Sequence, residues 1–148
     1  HDINLIHYFF PTGLRLAHAI SPAPGALTAT FEHGAVPVVF ELAKSASGVW
    51  LQGAEFVFEK GRLLLELPSP MANDRAARAV VNENAGSPAT RELERVPEWS
   101  FRGQARAFVG DLLERRTPLA SGAGALDDLR LIEGIWRRIC NLEVKNVQ

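Results

Sequence analysis

From Asp2 to Phe10 the apolar side chains Ile3, Leu5, Ile6, Phe9 and Phe10 recur at helical spacings, and Pro11, Thr12 and Gly13 then stop the run. This predicts a short helix with a broad apolar face. The period then switches from helix to strand. Leu14, Leu16, His18 and Ile20 alternate with Arg15, Ala17 and Ala19, ending at the breakers of residues 21–25. Leu27, Ala29 and Phe31 mark one face of a second strand. His33 and Gly34 make a turn, and Val36, Val38, Phe40 and Leu42 mark the return. Pro37 has no amide proton to donate, which places the return strand at an edge or restricts it to one-sided pairing there.

A second hairpin is predicted from about Val49 to Phe58, turning through Glu59, Lys60, Gly61 and Arg62 into Leu63, Leu64, Leu65 and Leu67. Its return arm is apolar on both faces, as in a strand covered on two sides. Weaker alternation between Ala76 and Arg95, with turn residues from Asn84 to Pro88, predicts two further strands. Helices resume after that. Phe101, Ala105, Phe108, Val109, Leu112 and Leu113 form one apolar stripe, with Ser100 as its N-cap. Ala125, Leu129, Ile132, Trp136 and Ile139 form another, with Asp127 and Asp128 in the first turn and Arg137 and Arg138 in the last.

One helix, about six strands and two closing helices are an α+β order, not alternating βα units. The expected architecture is a largely antiparallel open sheet with one N-terminal and two C-terminal helices packed on one face. The other face is then solvated or open to a partner. A length of 148 residues is most simply one domain spanning 1–148.

Composition narrows the function. Sixteen basic and 17 acidic side chains leave a formal charge of -1, which gives no electrostatic term favouring nucleic acid or anionic lipid. The apolar runs are too short to span a bilayer. Cys140 is the single cysteine, so no disulfide within the chain and no cysteine-rich metal site can form. A soluble, cytoplasmic protein is expected.

The histidines His1, His7, His18 and His33 lack metal-ligand spacing, and no residue is assigned to a metal. His7, six residues from His1, points from another side of the helix and reads as a packing or solvent-facing residue. Gly122, Gly124 and Asp127 imitate a G-x-G-x-x-G fingerprint, but no apolar strand precedes them and an aspartate takes the last place. They read as a helix-entry loop, so no residue of the chain is assigned to a cofactor. No nucleophile elbow or phosphate-binding loop occurs. Glu55, Glu59 and Glu66 read as charges on a solvated face.

His1 is the remaining candidate for chemistry. A helix N-terminus disfavours imidazolium, which suits a neutral proton-transfer base. A remnant of an expression tag and a merely structural histidine are the competing readings of that residue.

Three segments together resemble the C-terminal domain of the glucose-fructose oxidoreductase and inositol dehydrogenase family. HDINLIHYFF resembles the family's H-x-x-D/N helix, GAEFVFEKGRLLLELP its central hairpin, and residues 101–139 its closing helix pair. The resemblance implies a preceding Rossmann domain in the same parent chain, NAD or NADP bound mainly there, and hydride exchange with a sugar, polyol or related carbonyl substrate. It places His1 on the catalytic proton-transfer histidine. Asn4 falls where many members have aspartate; an amide can orient a substrate but cannot act as a base. The family's partner carboxylate, four positions before the histidine, would lie upstream of residue 1.

Gln104 falls on a position often acidic in the family. The resemblance places the sheet face near Trp50 and Phe56 on a subunit contact, implying a homo-oligomer; buried packing against the helices is the alternative for both aromatics. On this reading the chain is the substrate-binding and oligomerisation part of a larger enzyme and is inactive alone. The alternative is a noncatalytic dimerisation or ligand-binding module on the same scaffold. An isomerase or glycosidase that borrows the cofactor transiently shares the scaffold as well.

Overall fold

The computed structural model describes residues 2–84, 89–93 and 98–141. It has three helices and two open antiparallel sheets of three and four strands, a mixed α+β fold. Among the described residues the strands number seven and divide between two sheets, where the sequence pattern gathers about six into one. The chain falls into two compact units: residues 1–44 with 119–148, and residues 45–118.

In the first unit, α1 (Asp2–Phe9) precedes β1 (Leu14–Ile20), β2 (Ala26–His33) and β3 (Val36–Ala43), which pair in the order β1-β2-β3. The unit closes with α3 (Gly122–Ile139). Two-residue connections make tight hairpins only with the right backbone sign. Gly34 supplies it between β2 and β3, with φ +61°. Pro37 sits on β3, an edge strand, as its missing donor requires.

The core of this unit combines Ile3 of α1, Ala19, Ala29 and Phe31 of the sheet, and Ile135 of α3. Phe31 and Ile135 are its largest fully buried side chains. Ile6, Leu14, Leu16, Leu27, Val38, Phe40, Leu131 and Ile139 pack around them. Alpha-helix α3 lies against β1, and α1 lies against α3.

Simple alternation fails on β1. Leu16 pairs with Phe31 but His18 with Thr30, which leaves Ala17 as an extra residue in a β-bulge. One inserted residue reverses the faces of everything after it. Leu14 and Leu16 therefore share the core face with Ala19, and His18 and Ile20 turn outward and are exposed.

The stripe on α3 is also rotated from the expected one. Leu131, Ile135 and Ile139 face the core, while Leu129, Ile132 and Trp136 are exposed. Ser121 caps the helix, its hydroxyl accepting the Gly124 N–H at 3.1 Å. The helix thus begins earlier than expected, and Asp127 and Asp128 fall in its second turn. Arg137 and Arg138 occupy the last turn as expected.

The second unit holds β4 (Gln52–Phe58), β5 (Gly61–Leu67), β6 (Arg78–Glu83), β7 (Ala89–Leu93) and α2 (Ser100–Leu113). The strands pair in sequence order. The turn residues 85–88 lie outside the described residues. One sheet face carries Ala54, Phe56, Leu63, Leu65, Ala79 and Val81. The other carries a ladder of charge, with Arg62 donating to Glu55 and Arg78 to both Glu66 and Glu92. Hydrogen bonds to Glu92, then Glu66, raise the Arg78 pKa above its ordinary value, so it stays charged at every accessible pH.

The strand β5 is interior to this sheet and half-buried along its apolar positions, short of full cover on both faces. Ser100 is the first helical residue of α2, not its cap. Its hydroxyl and the Trp99 indole N–H both donate to the Pro70 carbonyl. The apolar stripe of α2 stays exposed, including Phe108, Val109, Leu112 and Leu113.

The bulge has a direct test. Ala19→Asp, which buries a carboxylate, is expected to cost more than about 3 kcal/mol, while His18→Asp stays within about 0.5 kcal/mol, measured by denaturant unfolding. Unbroken alternation demands the reverse order. Two glycines separate in the same assay. A Cβ at Gly134 meets only Leu16 Cδ2 at 3.9 Å, whereas one at Gly53 meets the Leu65 carbonyl oxygen at 2.2 Å. Gly134→Ala is expected to stabilise by up to about 1 kcal/mol, and Gly53→Ala to destabilise.

Candidate functional site

Eight residues are too few for a helix to persist alone in water, so α1 depends on its packing. Ile3 is buried and Ile6 packs beside it, which sets the rotation of the helix about its axis. Asn4 and His7, three residues apart, then share the neighbouring side. That side meets α3.

Asp128 receives both. The Asn4 side-chain nitrogen donates to Asp128 Oδ2 at 3.0 Å, and His7 Nδ1 lies 2.6 Å from Asp128 Oδ1. One carboxylate thus bridges two positions of α1 with its two oxygens. The His7 and Asp128 side chains are 23% and 17% exposed, so the pair is shielded without being sealed. A part-buried hydrogen bond to a charged group, as between His7 and Asp128, contributes about 1.5–3 kcal/mol, and the exposed Asn4 bond less.

The chemistry of the acceptor fixes the donors. A carboxylate offers only lone pairs, so the hydrogen between it and His7 sits on Nδ1, and the Asn4 amide turns its NH2 inward. Among the described residues, no partner is recorded for His7 Nε2 or for Asn4 Oδ1. An imidazole held in this way can take or give a proton at its outer nitrogen.

His7, read as a packing or solvent-facing residue, is part-buried and bonded across to α3. Asp128, read only as a helix-terminus charge, is the centre of the cluster. A signal for it existed: Asp128, Leu131, Ile135 and Ile139 form one helical stripe, and a carboxylate continuing an apolar stripe needs a partner. Asn4 is an exposed residue whose side chain joins this cluster. His1 lies outside the described residues.

The remaining sequence candidates do not converge here. His18 is exposed on β1. His33 packs by its ring against Phe10, the centroids 5.1 Å apart. Gln104 is exposed on α2 in the other unit, Trp50 is exposed before β4, and Phe56 is half-buried on β4. An open hollow of about 460 Å³ in the second unit is lined by Arg62, Asn82, Glu83, Asn84, Ala89 and Thr90. Thr90 there donates to Asn82 Oδ1 at 2.9 Å.

A dinucleotide does not fit the glycines of α3. The residues before Gly122 are turns and bends, not a strand, and Ser121 already occupies the Gly124 N–H. Among the described residues no three His, Cys, Asp or Glu side chains are grouped to hold a metal ion. Cys140 is exposed at the C-cap of α3. Nor is any described helix long and apolar enough to cross a membrane. Comparison of the chain with protein-family models, with curated proteins and with solved structures finds no match.

Proposed function

We propose that this chain is the substrate-binding and oligomerisation domain of an NAD(P)-dependent oxidoreductase acting on a sugar, polyol or related carbonyl compound. NAD or NADP would be held mainly by a Rossmann domain of the same parent chain. On this reading the cofactor belongs to the Rossmann domain, and the work assigned to this chain is binding, orientation and proton transfer. His1 is its proton-transfer residue and Asn4 a substrate contact.

One observation carries the reading. Asn4, at the position the resemblance assigns to substrate, lies on the side of α1 where the fold gathers its half-buried acid-base pair, His7 and Asp128. A short helix anchored in this way holds its polar side chains in place, as a substrate contact requires. The cytoplasmic location and the homo-oligomer belong to the same proposal.

The noncatalytic reading draws on a different observation. Trp50, Leu51, Val57 and Phe58 of the second unit are exposed, and Leu51 is 91% exposed. Apolar surface of this kind serves an interaction module equally well.

The two readings diverge in the parent protein. NAD(H) or NADP(H) is expected to raise its melting temperature, by about 2.7 kcal/mol of added stability at a hundredfold excess over Kd. His1→Ala there is expected to lower kcat by about 10²–10⁴-fold, the usual worth of a general acid or base, measured in steady-state turnover. A start codon immediately before His1 in the gene, or turnover untouched by His1→Ala, removes the enzymatic reading of this chain.

A further inference from the structure

We propose that Asp128 is a positioning residue that sets the hydrogen-bonding sense of α1, so that Asn4 Oδ1 and His7 Nε2 both face a ligand as acceptors. Each of these side chains is ambivalent by itself. An asparagine amide can turn either end outward, and a neutral imidazole can carry its proton on either nitrogen. Asp128 removes both choices at once, because its two oxygens can only accept. The Asn4 NH2 and the His7 Nδ1–H are spent inward.

With the ring neutral, what remains is a carbonyl oxygen and an unprotonated ring nitrogen, three residues apart on one helix. Such a pair matches a ligand that brings two hydroxyl donors. It rejects one that brings only acceptors, since unpaired acceptors would then be left desolvated. The selection is for the hydroxyl form of a substrate over its carbonyl form at these two atoms. This inference rests on the reading of α1 as a substrate-facing helix.

Asp128→Asn separates the claim from simple packing. The amide is nearly isosteric but can donate as well as accept, so it preserves the shape and removes the polarity. Replacing a carboxylate partner of histidine in this way permits the wrong tautomer. In the ¹⁵N-labelled chain, at a pH where the ring is neutral, His7 should carry its proton on Nδ1. Asp128→Asn should bring in the Nε2–H form, and Asp128→Glu should restore the original one. An Nε2–H ring in the unsubstituted chain, or no change of tautomer in Asp128→Asn, overturns the proposal.

The ligand side is read in the parent enzyme. Asp128→Asn should raise KM for a hydroxyl substrate about tenfold and leave KM for the nucleotide unchanged. A tautomer shift with an unchanged substrate KM shows that the polarity is set but not used, which overturns the ligand assignment. If the parent shows no nucleotide-dependent turnover, that assignment falls together with the oxidoreductase reading, and the tautomer measurement still decides the role of Asp128.

Discussion

The first unit depends on burying Phe31 and Ile135 in one core, because that burial joins two ends of the chain. The partners His7 and Asp128 lie 121 residues apart in sequence. Closing so long a loop costs conformational entropy that one half-buried hydrogen-bonded pair cannot offset. A fully buried aromatic and a fully buried isoleucine can, at about 1.5–3 kcal/mol each, helped by the leucines, valine and other side chains that pack around them. Polar chemistry on α1 is a consequence of apolar packing beneath it. The small side chains Ala19 and Ala29 stand opposite each other in the ladder, where they leave space for the larger groups arriving from the helices.

Much of the fold was legible from periodicity. The three helices, the two hairpins and the edge position of Pro37 all follow from local pattern and turn chemistry. What periodicity missed is non-local. Nothing in the run of residues 14–20 marks Ala17 as unpaired; only the partner strand, which needs Ala19 opposite Ala29, does so. The rotation of α3 has a similar cause. That helix carries two apolar stripes, and which of them is buried depends on the surface offered by β1.

The site was legible in part and for the same reason. Asn4 could be singled out by resemblance, but its partner belongs to a helix more than a hundred residues away. His7, six residues from His1, cannot share a ligand with it by spacing, and the partner it does have lies on another helix. Spacing within an element shows which side chains share a face, and only tertiary packing shows what that face meets. Asp128 is the residue where the two kinds of information join.

The bulge on β1 carries a last consequence, for the length of the chain. Ala17 is the one residue of that strand with no mate across the ladder. Without it, Leu14, Leu16 and Ala19 fall into plain alternation, and each retains the partner it now faces. The strand therefore holds a spare position inside a regular element, a place where the protein can shorten by one residue without exchanging inside for outside. Insertions and deletions are ordinarily confined to loops because they reverse the faces of a strand. Here the reversal has already been absorbed.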